Sequence, residues 1–275
     1  MPAPFSLRLA LVWTVLATAG LWFGLALLVL VVPRAGQGIV LLGLVQVLVY
    51  ALVLALFAAA RGTHFASLLA LRTASLSVCL TAAALGFFLQ IPATLLSDAV
   101  EHFFPTPAAT LAERALRITP HSTAQAVAIF LIVACLGPCV EEFFFRGALF
   151  GALRRGHGAL VTALGVALCF AFGHVDLRLF LPLFVTALAL GAARELSGSI
   201  WPGIALHGAF NAATLAVVFA GAAPGGKPPP MPVFVAIFGC VTSALLLWLL
   251  RALALSSRVA QNARSWSSGA QPPPS

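Results

Sequence analysis

Charged side chains are scarce in this chain: they make up 8% of its 275 residues, and only seven are acidic. Soluble domains carry about 25% charged and roughly 45–50% apolar residues. Here 61% are hydrophobic and the mean hydropathy is +1.07. Such a sequence cannot cover a water-facing surface, which excludes a soluble globular protein. Disorder is excluded because it requires low hydrophobicity and high net charge. The alternation of a membrane β-barrel is missing too, since the runs are apolar on every side. Cysteines are few and none lies in a loop: Cys79, Cys135, Cys139, Cys169 and Cys240 each lie within an apolar run, Cys135 and Cys139 sharing a helix face at i, i+4. Packing, rather than a disulfide or a zinc knot, is the expectation for them. These absences leave an all-α fold, a polytopic helical membrane protein.

A helical span needs about 20 apolar residues. Eight candidates read as 9–32, 39–60, 74–97, 123–140, 159–172, 179–193, 201–220 and 233–255, the fifth and sixth being short. The first apolar run is too long for a signal peptide and is expected to stay as an anchor. The net charge of +8 comes from basic residues scattered singly or in pairs between these runs. That is the pattern of loop anchors, not of a nucleic-acid surface, so no nucleic-acid partner is expected. With eight spans both termini share one side, and that side collects most arginines, among them Arg8, Arg61, Arg72, Arg154 and Arg155. The bias predicts both termini in the cytoplasm. Four regions follow: N-terminal spans and an interfacial loop over 1–121, a core over 122–221, a Pro-rich loop with the last span over 222–255, and a disordered tail over 256–275.

Ionisable groups inside a span cost at least ~2.5–3.5 kcal/mol near its centre. The exceptions here cluster in the core region. Glu141 and Glu142 stand together at the end of an apolar run, before Phe143-Phe144-Phe145-Arg146. On a helix, Glu142 and Arg146 are i, i+4 with the acid first, the favourable order for an ion pair. Glu141 points about 100° away and lacks that partner. A carboxylate withdrawn from water and left unpaired is suited to act as a general base.

Next come Phe170 and His174, also i, i+4. A hairpin turning around Arg155–Gly158 puts Glu141 about 15 residues before the turn and His174 about 17 after it. At 1.5 Å per residue the two lie within ~3 Å of one depth, where they could hold a water between them. Finally, Trp201-Pro202 starts a span on which His207 and Asn211 share a face. They read either as two helix-joining polar residues or as donors aimed at a developing oxyanion. A base, an imidazole and a donor pair, all within apolar helices, are parts for amide hydrolysis in a membrane. No Gly-x-Ser-x-Gly or intramembrane Gly-Asp pair supplies another nucleophile, so attack by an activated water is expected.

Glu-Glu-x-x-x-Arg at Glu141, Glu142 and Arg146, Phe-x-x-x-His at Phe170 and His174, and His-x-x-x-Asn at His207 and Asn211 occur in that order. In this the sequence resembles the CPBP intramembrane proteases. These include CAAX prenyl endopeptidases of the Ras-converting type and bacterial Abi and bacteriocin-immunity relatives. The resemblance covers about 125–221. It implies that Glu141 activates water with His174 and that His207 and Asn211 stabilise the oxyanion. Glu142, Arg146 and Phe170 would support the site. The family is usually described as metal-dependent, and Glu141, His174 and His207 would form a His₂Glu zinc set with an open position. The sequence lacks His-Glu-x-x-His, however, and the same residues also serve a metal-free glutamate mechanism, so both remain open.

The enzyme reading is an intramembrane endopeptidase acting on membrane-associated proteins or peptides. Abundant alanine and leucine with few lysines point to a GC-rich bacterium and hence to its inner membrane. Peptide maturation, anchor clipping or bacteriocin defence are then better expectations than prenylated substrates. His207 near the start of its span favours access from the cytoplasmic side. The alternatives are a proton-coupled transporter using the buried Glu/His set as a relay, or a non-catalytic scaffold or immunity protein. A transporter predicts broken helices repeated in both halves, and the polar residues concentrate in one half instead.

Overall fold

The computed structural model describes residues 5–32, 38–62, 69–220 and 231–267, with 258–267 as backbone only. Among the described residues it is helical without a strand. The helices are α1 (Leu7–Val31), α2 (Ile39–Arg61), α3 (Leu76–Phe103), α4 (Ala108–Ile118), α5 (Thr123–Arg154), α6 (Ala159–Gly173), α7 (Leu177–Ser197), α8 (Trp201–Phe219) and α9 (Val233–Ser267). Seven are long and apolar enough to cross a membrane, and α6 is a shorter apolar helix. The protein is a polytopic all-α membrane protein. Large side chains such as Phe23, Leu30 and Leu177 stand exposed, a surface suited to hydrocarbon and costly in water.

Of the boundaries that differ from those read in the sequence, two move farthest. The fourth span does not stop at Val140 but continues as α5 to Arg154, so Glu141 and Glu142 lie inside the span rather than at its end. The last helix runs to Ser267, past Ser256, where the sequence suggested a tail. Residues 268–275 and most of the proline-rich connection lie outside the described residues, as do Arg34 and Lys227. The loop after α3 contains α4, whose Arg114 pairs with Asp176, the residue that caps α7.

Local signals account for several helix ends. Ser122 accepts from the Gln125 amide at 3.2 Å while the Gln125 side chain accepts from the His121 amide at 2.8 Å, a reciprocal cap that starts α5. Gly62 and Gly198 close α2 and α7 in the left-handed conformation that glycine adopts without strain. Trp201-Pro202 opens α8 with proline in the first turn, where its missing N–H costs nothing.

Two of the three buried clusters among the described residues organise most of the bundle. One joins α1, α2, the second half of α5, α6 and α7 around Tyr50, Phe57, Phe144, Phe145, Phe150 and Phe170. The other joins α3, α7, α8 and α9 around Leu85, Leu190, Leu206 and Leu250. Helix α7 belongs to both, and α5 meets α8 between them. Lipid is as apolar as leucine, so close packing rather than water exclusion must hold such helices together. Gly86 shows how close: a Cβ there would lie 2.0 Å from the Leu206 carbonyl oxygen. Gln90, one turn on, donates to the Phe210 carbonyl at 2.5 Å, which fastens the same pair of helices.

Gly86→Ala is therefore expected to destabilise the folded protein in detergent by about 1–3 kcal/mol or more, as overpacking does. Gly191→Ala, where the new Cβ meets only ordinary contacts at 3.6 Å and beyond, is expected to stay within about 0.5 kcal/mol of wild type. Equal unfolding midpoints for the two variants would contradict the α3–α8 contact.

Candidate active site

Helix α5 changes its winding twice. Leu131–Leu136 and Phe143–Leu149 are π-helical, and between them Gly137–Glu142 is α-helical. Short π segments inside α-helices recur at functional sites. The first has a legible cause. Gly137 donates its amide to Ile132, five residues back, so the next bond in that register would run from residue 138 to the Val133 carbonyl. Residue 138 is proline and has no N–H to give. Asn211 of α8 fills the vacancy: its Nδ2 donates to the Val133 carbonyl at 2.8 Å. In the second π segment the Arg146 carbonyl accepts from Arg194 Nε of α7 at 3.2 Å. Both wide turns are thus stitched to neighbouring helices.

The α-helical turn between them carries the two glutamates inward. Glu142 and Arg146 are both 0% exposed, and Arg146 Nη1 donates to Glu142 Oε1 at 2.8 Å. The guanidinium also reaches the Ala187 carbonyl at 3.3 Å and lies 4.6 Å over the Phe170 ring. Glu142 Oε1 receives a second partner, His207 Nδ1 at 3.0 Å. A carboxylate only accepts, so Nδ1 is the donor, which leaves Nε2 on the opposite edge of the ring. The other oxygen, Oε2, is buried without a hydrogen-bond partner and faces Gly203, whose Cβ, were there one, would stand 3.0 Å away. Gly203 lies in the first turn of α8, the positive end of a helix dipole and a favourable place for an anion. Gly203, His207 and Asn211 follow at four-residue intervals, so one stripe of α8 faces α5.

Glu141 is 8% exposed and His207 5%. Glu141 Oε2 lies 3.7 Å from His207 Nε2, too far for a direct hydrogen bond. Its Oε1 accepts from Gln46 Nε2 of α2. His207 therefore stands between the two carboxylates, bound to one and facing the other.

His174 is placed differently from the hairpin expectation. It caps the exposed end of α6, with Nδ1 on the Phe170 carbonyl at 2.8 Å and its ring 4.7 Å from the Phe170 ring. Phe170 in turn meets His207 edge-on at 5.8 Å. Among the described residues no hydrogen bond or ion pair links His174 to Glu141. Counting residues along a hairpin gives depth but not the direction a side chain turns, and the Phe170 ring occupies the space toward His207. Asn211 commits one of its two amide hydrogens to Val133, as described.

A zinc ion on Glu141, His174 and His207 would need all three donors about 2.0–2.2 Å from one point. Among the described residues no three His, Cys, Asp or Glu side chains are grouped to hold a metal ion. As arranged, these residues do not fit that ion, and the chemistry below is derived from the side chains alone. Sequence reasoning missed Gln46, Gly203 and the part played by Pro138. An amide in the apolar run of α2 was a usable signal for Gln46, because polar groups within a span are expensive.

Removing one partner of a buried ion pair strands the other charge, at about 3–5 kcal/mol. Arg146→Met is expected to destabilise the protein by that amount in denaturation experiments in detergent. Glu142→Gln combined with Arg146→Met is expected to recover part of it; a double variant no better than Arg146→Met alone would contradict the pairing.

No curated protein and no solved structure matches the chain. Residues 123–213 match the family model described as Rce1-like, type II CAAX prenyl endopeptidase. That stretch carries Glu141, Glu142, Arg146, Phe170, His174, His207 and Asn211, and leaves Gln46 outside. Over this third of the chain the protein is similar to the CPBP/CAAX family of intramembrane proteases.

Proposed function

We propose that the protein is an intramembrane endopeptidase that cleaves membrane-associated proteins or peptides with a water molecule activated at Glu141. The observation that carries this reading is the 3.7 Å gap between Glu141 Oε2 and His207 Nε2. A water at ordinary hydrogen-bond distance, about 2.8 Å, from both atoms spans such a gap. It would donate one hydrogen to each and turn a lone pair toward the substrate.

In the reaction, Glu141 takes a proton from the water as its oxygen attacks the scissile carbonyl carbon. The carbonyl becomes an oxyanion. When the tetrahedral intermediate collapses, the C–N bond breaks and the amine leaves with the proton that Glu141 held. Glu142, fixed by Arg146, holds His207 in the tautomer that keeps Nε2 facing the water. The second amide hydrogen of Asn211 is the donor we assign to the oxyanion. His174, at the exposed end of α6, flanks the site across the Phe170 ring. Catalytic hydrogen bonds that are long without substrate commonly tighten once it binds. Phe170 is wedged between Arg146, His174 and His207 and spaces the three.

The charge bias of the loops supports cytoplasmic termini, and the composition supports a bacterial inner membrane. A C-terminal topology reporter reads that orientation. A site that opens to the cytoplasmic side, near the start of α8, suits peptides presented from that side.

The test is cleavage of a quenched peptide library by purified protein in liposomes. Positioned general bases contribute about 10²–10⁴ in rate, so Glu141→Gln is expected to lose at least 10²-fold with an unchanged unfolding midpoint. Cleavage by Glu141→Gln at the wild-type rate would overturn the mechanism, and proton-coupled uptake without cleavage would support a transporter instead.

A further inference from the structure

Helix α2 lies outside the segment that matches the family model, yet it supplies a contact to the proposed base. Gln46 interrupts an apolar run, Ile-Val-Leu-Leu-Gly-Leu-Val before it and Val-Leu-Val after it. Its Nε2 donates to Glu141 Oε1. One turn on, Tyr50 occupies the same face, buried and edge-on to Phe144 at 5.4 Å. One turn before lies Gly43, where a Cβ would fall 2.0 Å from an Ile132 methyl carbon. The missing side chain lets α2 approach the first π segment of α5 closely enough for an amide to reach Glu141.

Amides in membrane helices often do no more than tie two helices together. Gln90 does that, ending on the Phe210 carbonyl and the Thr214 hydroxyl, and the hydrogen that Asn211 spends on α5 ends on the Val133 carbonyl. Gln46 ends on a carboxylate. Glu141 has two equivalent oxygens and a freely turning terminal torsion. With Oε1 held from α2, the plane of the group is set and Oε2 is directed at His207 Nε2. Released from Gln46, the carboxylate turns, and the water loses one of its two fixed acceptors.

We propose that Gln46 is a positioning residue for Glu141, supplied by α2. The inference rests on Glu141 being the base, as argued above. Gln46 touches neither substrate nor the reacting atoms. It acts on the orientation of the base, so its loss is expected in the chemical step and not in substrate binding. Misplacement of a reacting group by about 1 Å can cost as much as 10²-fold.

The experiment uses the full chain in liposomes and compares wild type, Gln46→Met, Gln46→Asn, Glu141→Gln and the combined Gln46→Met/Glu141→Gln protein on one cleaved peptide. Methionine keeps the length and apolar volume but has no donor. Asparagine keeps the amide but draws it back by one methylene. The expected result is a kcat lowered about 10- to 10²-fold in Gln46→Met with KM unchanged. Gln46→Asn is expected to be no worse than Gln46→Met, and the combined protein no slower than Glu141→Gln alone.

A space-filling role gives the opposite order, with Gln46→Met like wild type and Gln46→Asn impaired, and that order would overturn the inference. So would a Gln46→Met protein that raises KM at unchanged kcat. Should Gln46→Met fail to fold, Gln46→Leu, also apolar and without a donor, takes its place in the same comparison. Cleavage by Glu141→Gln at the wild-type rate marks failure of the base assignment itself, and a silent Gln46→Met beside an inactive Glu141→Gln marks failure of the positioning role alone.

Discussion

The carboxylate of Glu142 has no exposed surface and two partners on one oxygen, the Arg146 guanidinium at 2.8 Å and His207 Nδ1 at 3.0 Å. Everything else at the site follows from that arrangement. A pair of charges taken out of water often adds little net stability, because desolvation offsets the attraction. What such a pair does supply is direction. Arg146 lies on the same helix one turn away, so it fixes Glu142 within α5. His207 lies on α8, so the remaining bond fixes one helix against another. The imidazole is turned by this bond until its free nitrogen meets Glu141. Orienting a histidine through its far nitrogen is the usual way proteins make its near nitrogen useful.

The backbone of α5 is arranged to the same end. Pro138 removes the amide that the Val133 carbonyl would otherwise accept, and Asn211 replaces it from α8. His207 and Asn211 therefore grip α5 at two points, one a side chain and the other a freed carbonyl. Gly86 lets α3 close on α8 from behind, and Gly203 leaves room for the Glu142 oxygen that has no partner. In a medium where helices gain nothing by hiding from lipid, such close approaches and interhelical bonds are what select one packing over others.

Much of this was written plainly in the chain. Apolar runs located the spans, and four-residue spacing put Glu142 with Arg146 and His207 with Asn211 on common faces. Four features were hidden for identifiable reasons. The hydrophobic run breaks at Glu141, so the span is expected to end there, although a buried ion pair lets it continue to Arg154. The partnership of His207 with Glu142 spans 65 positions, a distance over which spacing rules are silent. Glu141 and His174 were expected to face each other because a hairpin equalises depth, but rotation about the helix axis is set by packing, and the Phe170 ring stands between His174 and His207. Gln46 escaped notice because an uncharged amide is a weaker anomaly than a carboxylate.

The central claim is that buried Glu142 holds His207 through Nδ1 and so leaves Nε2 to face Glu141. Solid-state nitrogen NMR of histidine-labelled full-length protein in liposomes, with the His207 signals assigned by their loss in His207→Gln, reads this tautomer directly. At neutral pH the account predicts a protonated Nδ1 and a bare Nε2. A bare Nδ1 with the proton on Nε2 would contradict it.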